Sequence, residues 1–167
     1  DASLNSEVIS TQNFNTIIDF DPESGIINCE SGVLLDDILK TAIPKGYFLG
    51  VTPGTKYVSI GGAIAADIHG KNHHKSGCFS NFVISFEIIT NNGDRLTCSK
   101  TENQQLFYST FGSMGLTGVI TSAKIQLVPI QSTNISGKQI RANNLSEMME
   151  VFENNQATTF SVAWIDC

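Results

Sequence analysis

The stretch FVISFEIITNNGDRLTCS, residues 82–99, predicts a β-hairpin and decides the fold class. Two arms rich in β-branched and aromatic residues flank an Asn-Gly turn, the strongest short-range signal for paired antiparallel strands. A second pair of β-rich runs, residues 15–21 and 25–31, surrounds the turn residues DPESG. Strands joined by tight turns run antiparallel. We therefore expect an α+β fold with a mixed or antiparallel sheet flanked by helices, and not a doubly wound parallel sheet.

Further helices and strands are expected around these hairpins. Apolar residues at helical spacing follow residue 32 and predict a helix that Pro44 and Gly46 end. Thr101 and Asn144 are the expected N-caps of two later helices. The remaining strands are expected in YFLGVTPGT, GLTGVITSAKIQLVPI and FSVAWIDC, residues 47–55, 115–130 and 160–167.

The composition indicates a globular chain and excludes several classes of function. Of the 167 residues, 41% are apolar and 16% are charged, which excludes a disordered chain. A net charge of -6 without any Lys/Arg run excludes a nucleic-acid-binding face. The apolar stretches are too short and too often interrupted to span a membrane. The scattered Cys29, Cys78, Cys98 and Cys167 are typical of reduced structural thiols in an intracellular protein, with disulfides as the alternative.

Small residues dominate VTPGTKYVSIGGAIAADIHG, residues 51–70. Glycine and alanine let a backbone approach a ligand closely, so this run favours a flat or extended ligand lying along an extended strand that ends at His69. The alternative is a turn followed by a close contact between a helix and the sheet. The G-x-G-x-x-G spacing of a dinucleotide-binding fold is absent. A second glycine cluster, FGSMGLTGVIT at residues 111–121, lies at a predicted helix-to-strand junction, and two such clusters favour a shared ligand.

The order of these motifs carries a family resemblance. PGT, VSIGGAIAADIHGKNHH, FVISFEIITNNGDRLTCS and LFYSTFGSMGLTGVITSAKIQLVP follow one another as in the FAD-binding domain of the vanillyl-alcohol oxidase/p-cresol methylhydroxylase flavoprotein family, whose second half this chain resembles over nearly its whole length. The resemblance implies that residues 1–130 are the second lobe of that domain and that residues 131–167 begin the substrate domain. Asp1 should then end the family's pyrophosphate loop. We expect the first lobe and most of the substrate domain to be missing, and the chain alone to be inactive.

The resemblance also implies which positions contact FAD. They fall in both glycine-rich segments: Gly54, Ser59, Ile60, Gly61, Gly62, Ala66, Asp67, Ile68, His69 and Ile120. Residues 59–62 are expected at the pyrophosphate and the ribityl chain, and residues 66–69 along the isoalloxazine ring. In the same relatives, the positions of His69, Gly70 and Lys71 border the substrate pocket.

All three histidines of the chain lie within residues 69–74. His69 and His73 have the i, i+4 spacing of helical zinc ligands, but Gly70 and Asn72 disfavour a helix there. No carboxylate or cysteine completes an obvious ligand set. We therefore expect no metal site.

His69 and Lys71 are the candidate catalytic residues. His69 directly follows the small residues, so we expect it to pack against the flavin and to polarise a substrate hydroxyl, with a role as base as the alternative. Lys71 is expected to attract a substrate phosphate, and the alternative is an exposed loop lysine. His73 and His74 are expected to be structural or on the surface.

The function that the resemblance implies is FAD-dependent oxidation of a hydroxyl of a sugar or alcohol. For the most similar members, the substrate is a polyprenyl-phosphate-linked pentose of cell-wall precursor synthesis, and a partner reductase completes an epimerisation. Such an enzyme is expected in the cytoplasm, in association with membranes. The alternatives are an aldonolactone or alditol oxidase of the same fold and a flavin-binding domain without turnover.

Overall fold

The computed structural model describes residues 9–165. Asp1 and Cys167, on which two of the sequence-based expectations fall, lie outside the described residues. The described residues form six strands and five α-helices. In chain order they are β1 (Ile17–Asp21), β2 (Ile26–Glu30), α1 (Leu35–Ala42), β3 (Tyr47–Leu49), α2 (Ile60–Ala65), α3 (His73–Ser76), β4 (Val83–Ile89), β5 (Arg95–Ser99), α4 (Gln104–Thr110), β6 (Val119–Pro129) and α5 (Leu145–Asn154).

The strands form one antiparallel sheet, which confirms the α+β fold. Its order is β1-β2-β6-β4-β5, and β3 pairs with the end of β6. Both predicted hairpins are present, as the pairs β1–β2 and β4–β5. The second turn needs Gly93, whose φ of 84° other residues rarely adopt. The longest strand, β6, therefore lies in the middle of the sheet and pairs with one strand of each hairpin, β2 and β4.

One face of the sheet is covered by the core and the other faces solvent. In β6, Ala123, Ile125 and Leu127 are buried, while Lys124 between them is exposed. This alternation is the period of two that a strand imposes on its side chains. Burial raises the pKa of the neighbouring Cys29 thiol to about 12, so this cysteine serves as an apolar core residue.

Two helix boundaries are as predicted from the sequence and a third is not. Helix α1 continues into a 3-10 turn and stops at Gly46, which has a φ of 80°. The Asn144 side chain accepts the N–H of Glu147 at 2.9 Å and caps α5. Thr101 does not cap α4, which begins only after Asn103. The hydroxyl of Ser99 accepts the N–H groups of Thr101 and Glu102 and folds these residues into a turn instead.

The closing strand predicted from FSVAWIDC is wrong for the described residues. Residues 160–165 have no regular structure, and Phe160, Val162 and Trp164 are exposed. A strand needs a neighbouring backbone, and within the described part of the chain this segment finds one backbone hydrogen bond, from Ser161 to Lys71. The alternation of apolar residues alone is therefore not sufficient to predict a strand here. The domain boundary after residue 130 stays a prediction.

The described residues include no helix that is long and apolar enough to cross a membrane. Their cysteines, Cys29, Cys78 and Cys98, are free thiols.

Candidate functional site

The run of small residues folds as a helix, which corrects the extended strand expected from the sequence. Ser59 is the N-cap of helix α2, and its hydroxyl accepts the N–H of Gly62 at 3.3 Å. Ile60, Ala63 and Ile64 are buried, and this i, i+3, i+4 spacing is that of one helix face. The helix ends just before Asp67, whose φ of 43° turns the chain towards His69.

The two adjacent glycines of α2 have different surroundings. A Cβ atom at Gly61 would lie 3.1 Å from Cβ of Ser31, and the Gly61 N–H donates to the Ser31 carbonyl at 2.8 Å. Gly61 is therefore explained by the close contact between helix and sheet. Gly62 is exposed, and among the described residues a Cβ atom there would approach only the hydroxyl of Ser59, at 3.1 Å. The absence of a side chain at Gly62 leaves the outer face of α2 open.

The first turn of α2 uses its N–H groups within the protein. Ile60 donates to the Val33 carbonyl at 2.9 Å, and Ala63 donates to the Ser59 carbonyl at 2.8 Å. Gly61 and Gly62 are bonded as described, and the exposed Gly62 carries no side chain. The Ile60 side chain is wholly buried.

The second glycine cluster meets α2 directly. The Met114 N–H donates to the carbonyl of Ala65 at 2.9 Å, so the two glycine-rich segments are joined. Ala66 and Met114 flank this bond and both are exposed, Met114 to 75%. Leu116 in the same loop is 91% exposed, while Ile120 at the start of β6 is buried. We call the exposed surface of Gly62, Ala66 and Met114 the platform.

The loop that carries Gly54 is fastened to the start of α1. The carbonyls of Lys56 and Val58 accept the N–H groups of Asp36 and Leu35 at 3.0 and 2.9 Å. The Asp36 carboxylate also binds the Lys56 ammonium group at 2.7 Å. Gly54 itself is exposed, and a Cβ atom there would have no neighbour within 4 Å in the part of the chain that the structure describes.

The stability that Asp36 provides is expected to depend on pH. Hydrogen bonds from Lys40 and Lys56 hold the pKa of the Asp36 carboxyl below its ordinary value. Because the folded-state pKa is lowered, the stabilisation is complete above the unfolded-state value, about 3.9, and is lost as the pH falls through the folded-state pKa. Asp36→Asn should therefore lower the urea midpoint at pH 7 and have little effect at the lowest pH.

A suitable control for this measurement is Asp19→Asn on β1, since Asp19 is exposed and makes no salt bridge within residues 9–165. A difference between Asp36→Asn and the unmodified protein that stays constant from pH 7 to pH 2 would contradict the expected ionic attachment of this loop.

Beyond α2, two of the side chains of residues 66–69 face outward and two contact the rest of the protein. Ala66 and His69 are exposed. The Asp67 carboxylate accepts the N–H and the hydroxyl of Ser80 at 2.9 and 3.1 Å, and Ile68 packs against the core. Of this predicted set, the structure therefore leaves the side chains of Ala66 and His69 free to meet a ligand.

The three histidines are neighbours with different surroundings. We define residues 69–77 as the histidine loop; His73 and His74 lie in α3, and the rings of His69 and His73 are 5.7 Å apart. His74 Nε2 donates to the Thr158 carbonyl at 3.0 Å, and the Lys71 carbonyl accepts the Ser161 N–H at 3.0 Å. In the described part of the chain, no three His, Cys, Asp or Glu side chains are grouped to hold a metal ion.

Comparison with known proteins identifies the family. The profile of a family described as FAD binding domain matches residues 1–99. The chain belongs to this family. The chain is 36% identical to decaprenylphosphoryl-beta-D-ribose oxidase of Mycolicibacterium smegmatis, over 95% of this chain and 35% of that protein.

Other relatives of this FAD binding domain carry different names. The chain is 30% identical to D-lactate dehydrogenase of Anaerostipes hadrus over 77% of this chain. It is 29% identical to L-gulonolactone oxidase of Scyliorhinus torazame over 75% of this chain. These matches cover 28% and 29% of the two relatives. The chain thus spans about a third of the length of the curated relatives it matches.

FAD is the cofactor of this family, and the surface of the FAD binding domain fits it. A flat, extended ligand needs a face that is free of bulky side chains and partly apolar. The platform has both properties, because Gly62 and Ala66 carry little or no side chain and Met114 is apolar and exposed. Gly54 adds a second open stretch of backbone.

Three contributors to this site are not predicted by any local sequence pattern. Ser31 packs under Gly61, Met114 joins the two glycine clusters, and Asn72 is buried beside Gly70. Each contact either joins parts of the chain that are distant in sequence or depends on the direction in which a side chain points. The helical spacing of Ile60, Ala63 and Ile64, in contrast, is a local signal that predicts α2.

Proposed function

We propose that this chain is the second lobe of the FAD-binding domain in an oxidoreductase that oxidises a hydroxyl of a sugar or alcohol. The observation that carries the proposal is the Met114–Ala65 hydrogen bond, which joins two glycine-rich segments into one exposed platform that leads to His69. The platform would hold FAD, which would supply the acceptor for the hydride of the oxidised carbon.

The residues of this lobe bind and orient. Gly54, Gly62 and Ala66 admit the cofactor by their lack of bulk, and the Ser59 hydroxyl donates a hydrogen bond to it. Ile60, Gly61, Asp67, Ile68 and Ile120 contribute through their backbone or by packing beneath the platform, because their side chains are absent, buried or already bonded.

His69 and Lys71 act on the substrate. Both side chains are exposed and neither has a hydrogen-bond partner within residues 9–165, so their polar groups are available to a ligand. His69 polarises the substrate hydroxyl as the proton of that hydroxyl leaves. Lys71 attracts a substrate phosphate as a point charge.

A polyprenyl-phosphate-linked pentose is the substrate that we propose. The name of the relative at 36% identity supports a lipid-linked ribose, and the exposed ammonium group of Lys71 suits its phosphate. The lipid tail would bring a cytoplasmic enzyme to the membrane surface, and a partner reductase would complete an epimerisation. An aldonolactone is the second candidate, since L-gulonolactone oxidase is also a relative.

The test is the absorption spectrum of the purified full-length protein, followed by anaerobic mixing with each substrate. We expect flavin absorbance that is bleached by a polyprenylphosphoryl ribose and not by an aldonolactone. Bleaching by the lactone alone would reverse the choice of substrate. Flavin that no hydroxyl compound reduces would indicate a binding domain without turnover, and a colourless protein would refute the proposal.

A further inference from the structure

The side chains of the histidine loop alternate between outside and inside at its start. His69 and Lys71 are exposed, and Gly70 and Asn72 are buried. Asn72 is only 3% exposed, which is unusual for an amide side chain. The two candidate catalytic residues thus stand on a backbone whose intervening residues face into the protein.

Asn72 fastens this backbone to the sheet. Its Nδ2 atom donates to the carbonyl of Gly50, directly after β3, at 2.8 Å, and to the hydroxyl of Ser76 at 3.0 Å. The first bond joins the loop to the end of a strand, and the second spans α3. One amide group therefore fixes the loop both to the fold and to itself.

Gly70 brings the loop close enough for this attachment. A Cβ atom at Gly70 would lie 2.5 Å from the Thr52 carbonyl oxygen and 2.9 Å from Oδ1 of Asn72. No side chain fits between these backbones, so the loop lies directly against residues 50–52. This contact and the Asn72 bonds hold the same short segment.

The chemistry of Asn72 is specific to this attachment. Its Oδ1 atom is buried and has no hydrogen-bond partner among residues 9–165, which is unfavourable for an amide oxygen. A leucine of similar volume would avoid that penalty. Its two Nδ2 hydrogens donate to the Gly50 carbonyl and to the Ser76 hydroxyl, and leucine could make neither bond.

We propose that Asn72 is a positioning residue that orients His69 and Lys71 by anchoring the histidine loop to the end of β3. The proposal rests on the proposed function for the roles of His69 and Lys71. The anchoring itself can be measured without any cofactor.

The experiment compares Asn72→Asp with Asn81→Asp in the full-length protein. Asp keeps the shape of the side chain but replaces the donating amide with an oxygen that repels the Gly50 carbonyl. Asn81 is a matched control because its exposed amide donates to the Ser76 carbonyl at 3.0 Å, beside the same helix but away from β3. Ser76→Ala removes one of the two Asn72 hydrogen bonds. This variant tests the same attachment if the Asn72→Asp protein does not fold.

Two quantities are measured: amide hydrogen exchange in residues 70–76, with and without flavin, and the rate of reduction per bound flavin at saturating polyprenylphosphoryl ribose. We expect Asn72→Asp to speed the exchange at least tenfold, and to slow reduction by roughly tenfold to a hundredfold, because a displacement of about 1 Å costs that much. Ser76→Ala should shift both in the same direction by less, and Asn81→Asp should change neither.

Unchanged exchange in the Asn72 and Ser76 variants would overturn the proposal. Equal effects of Asn72→Asp and Asn81→Asp would do the same, as would faster exchange with an unchanged reduction rate. Absence of flavin from the unmodified protein would refute the proposed function instead, and the exchange measurement would still support or overturn the anchor.

Discussion

Full-length protein that carries Gly62→Val is expected to fold and to purify without FAD. Gly62 is exposed on the platform, and a Cβ atom there would approach only the hydroxyl of Ser59. Glycine is among the poorest helix formers, so valine does not weaken α2. Its methyl groups would project into the space that we assign to the cofactor. Absorbance of the purified protein measures the loss, and the melting temperature measures the fold.

Gly61→Val is the matched control for this prediction. Valine at Gly61 would press on Ser31, whose Cβ and carbonyl oxygen would lie 3.1 and 3.3 Å from the new Cβ. This variant should lower the melting temperature, because α2 must move away from Ser31, the residue that directly follows β2. Gly62→Val should not. A normal flavin content in folded Gly62→Val protein would remove Gly62 from the site.

The second large effect is expected from His69→Ala, which should slow flavin reduction tenfold to a hundredfold in anaerobic mixing experiments. The His69 ring is exposed at the end of the platform and has no hydrogen-bond partner within residues 9–165. A hydrogen bond made mainly in the transition state is worth about 1.5–3 kcal/mol, which corresponds to that range of rates. Because this ring is exposed and its one described aromatic neighbour is the exposed His73 ring, its removal should leave the melting temperature nearly unchanged.

His73→Ala and His74→Ala are the controls, since both residues lie in α3 beyond Gly70. His74→Ala loses the hydrogen bond to the Thr158 carbonyl and should cost a modest amount of stability, with reduction nearly unchanged. A metal site predicts a different result, in which all three substitutions impair the enzyme together. Equal sensitivity of the three histidines, or zinc bound in stoichiometric amount, would contradict the assignment of His69.

Local turn chemistry predicts much of this fold correctly. The Asn-Gly turn before Asp94, the residues around Pro22 and the cap at Asn144 each act within a few residues, so the sequence is sufficient to place them. The errors arise where neighbours compete. Ser99 takes the N–H groups that a cap at Thr101 requires, and the alternating residues after Phe160 find no strand to pair with among the described residues.

The sequence proposes residues for the candidate site but does not predict their surroundings. The sequence shows that small residues precede His69 and that glycines recur before Ile120. It predicts an extended strand, however, where Ser59 caps a helix. Glycine and alanine permit both conformations, and the burial of Ile60, Ala63 and Ile64 against the sheet selects the helix.

By itself, the sequence determined the fold class, the two hairpins and the family, because turn residues and alternation act over short distances and motif order is a property of the chain. Only the tertiary structure decided that Gly61 faces Ser31 while Gly62 faces outward, and that Met114 reaches Ala65. Two adjacent glycines are chemically identical. They differ because the buried residues of α2 fix how the helix packs on the sheet. Successive helical residues then face in different directions.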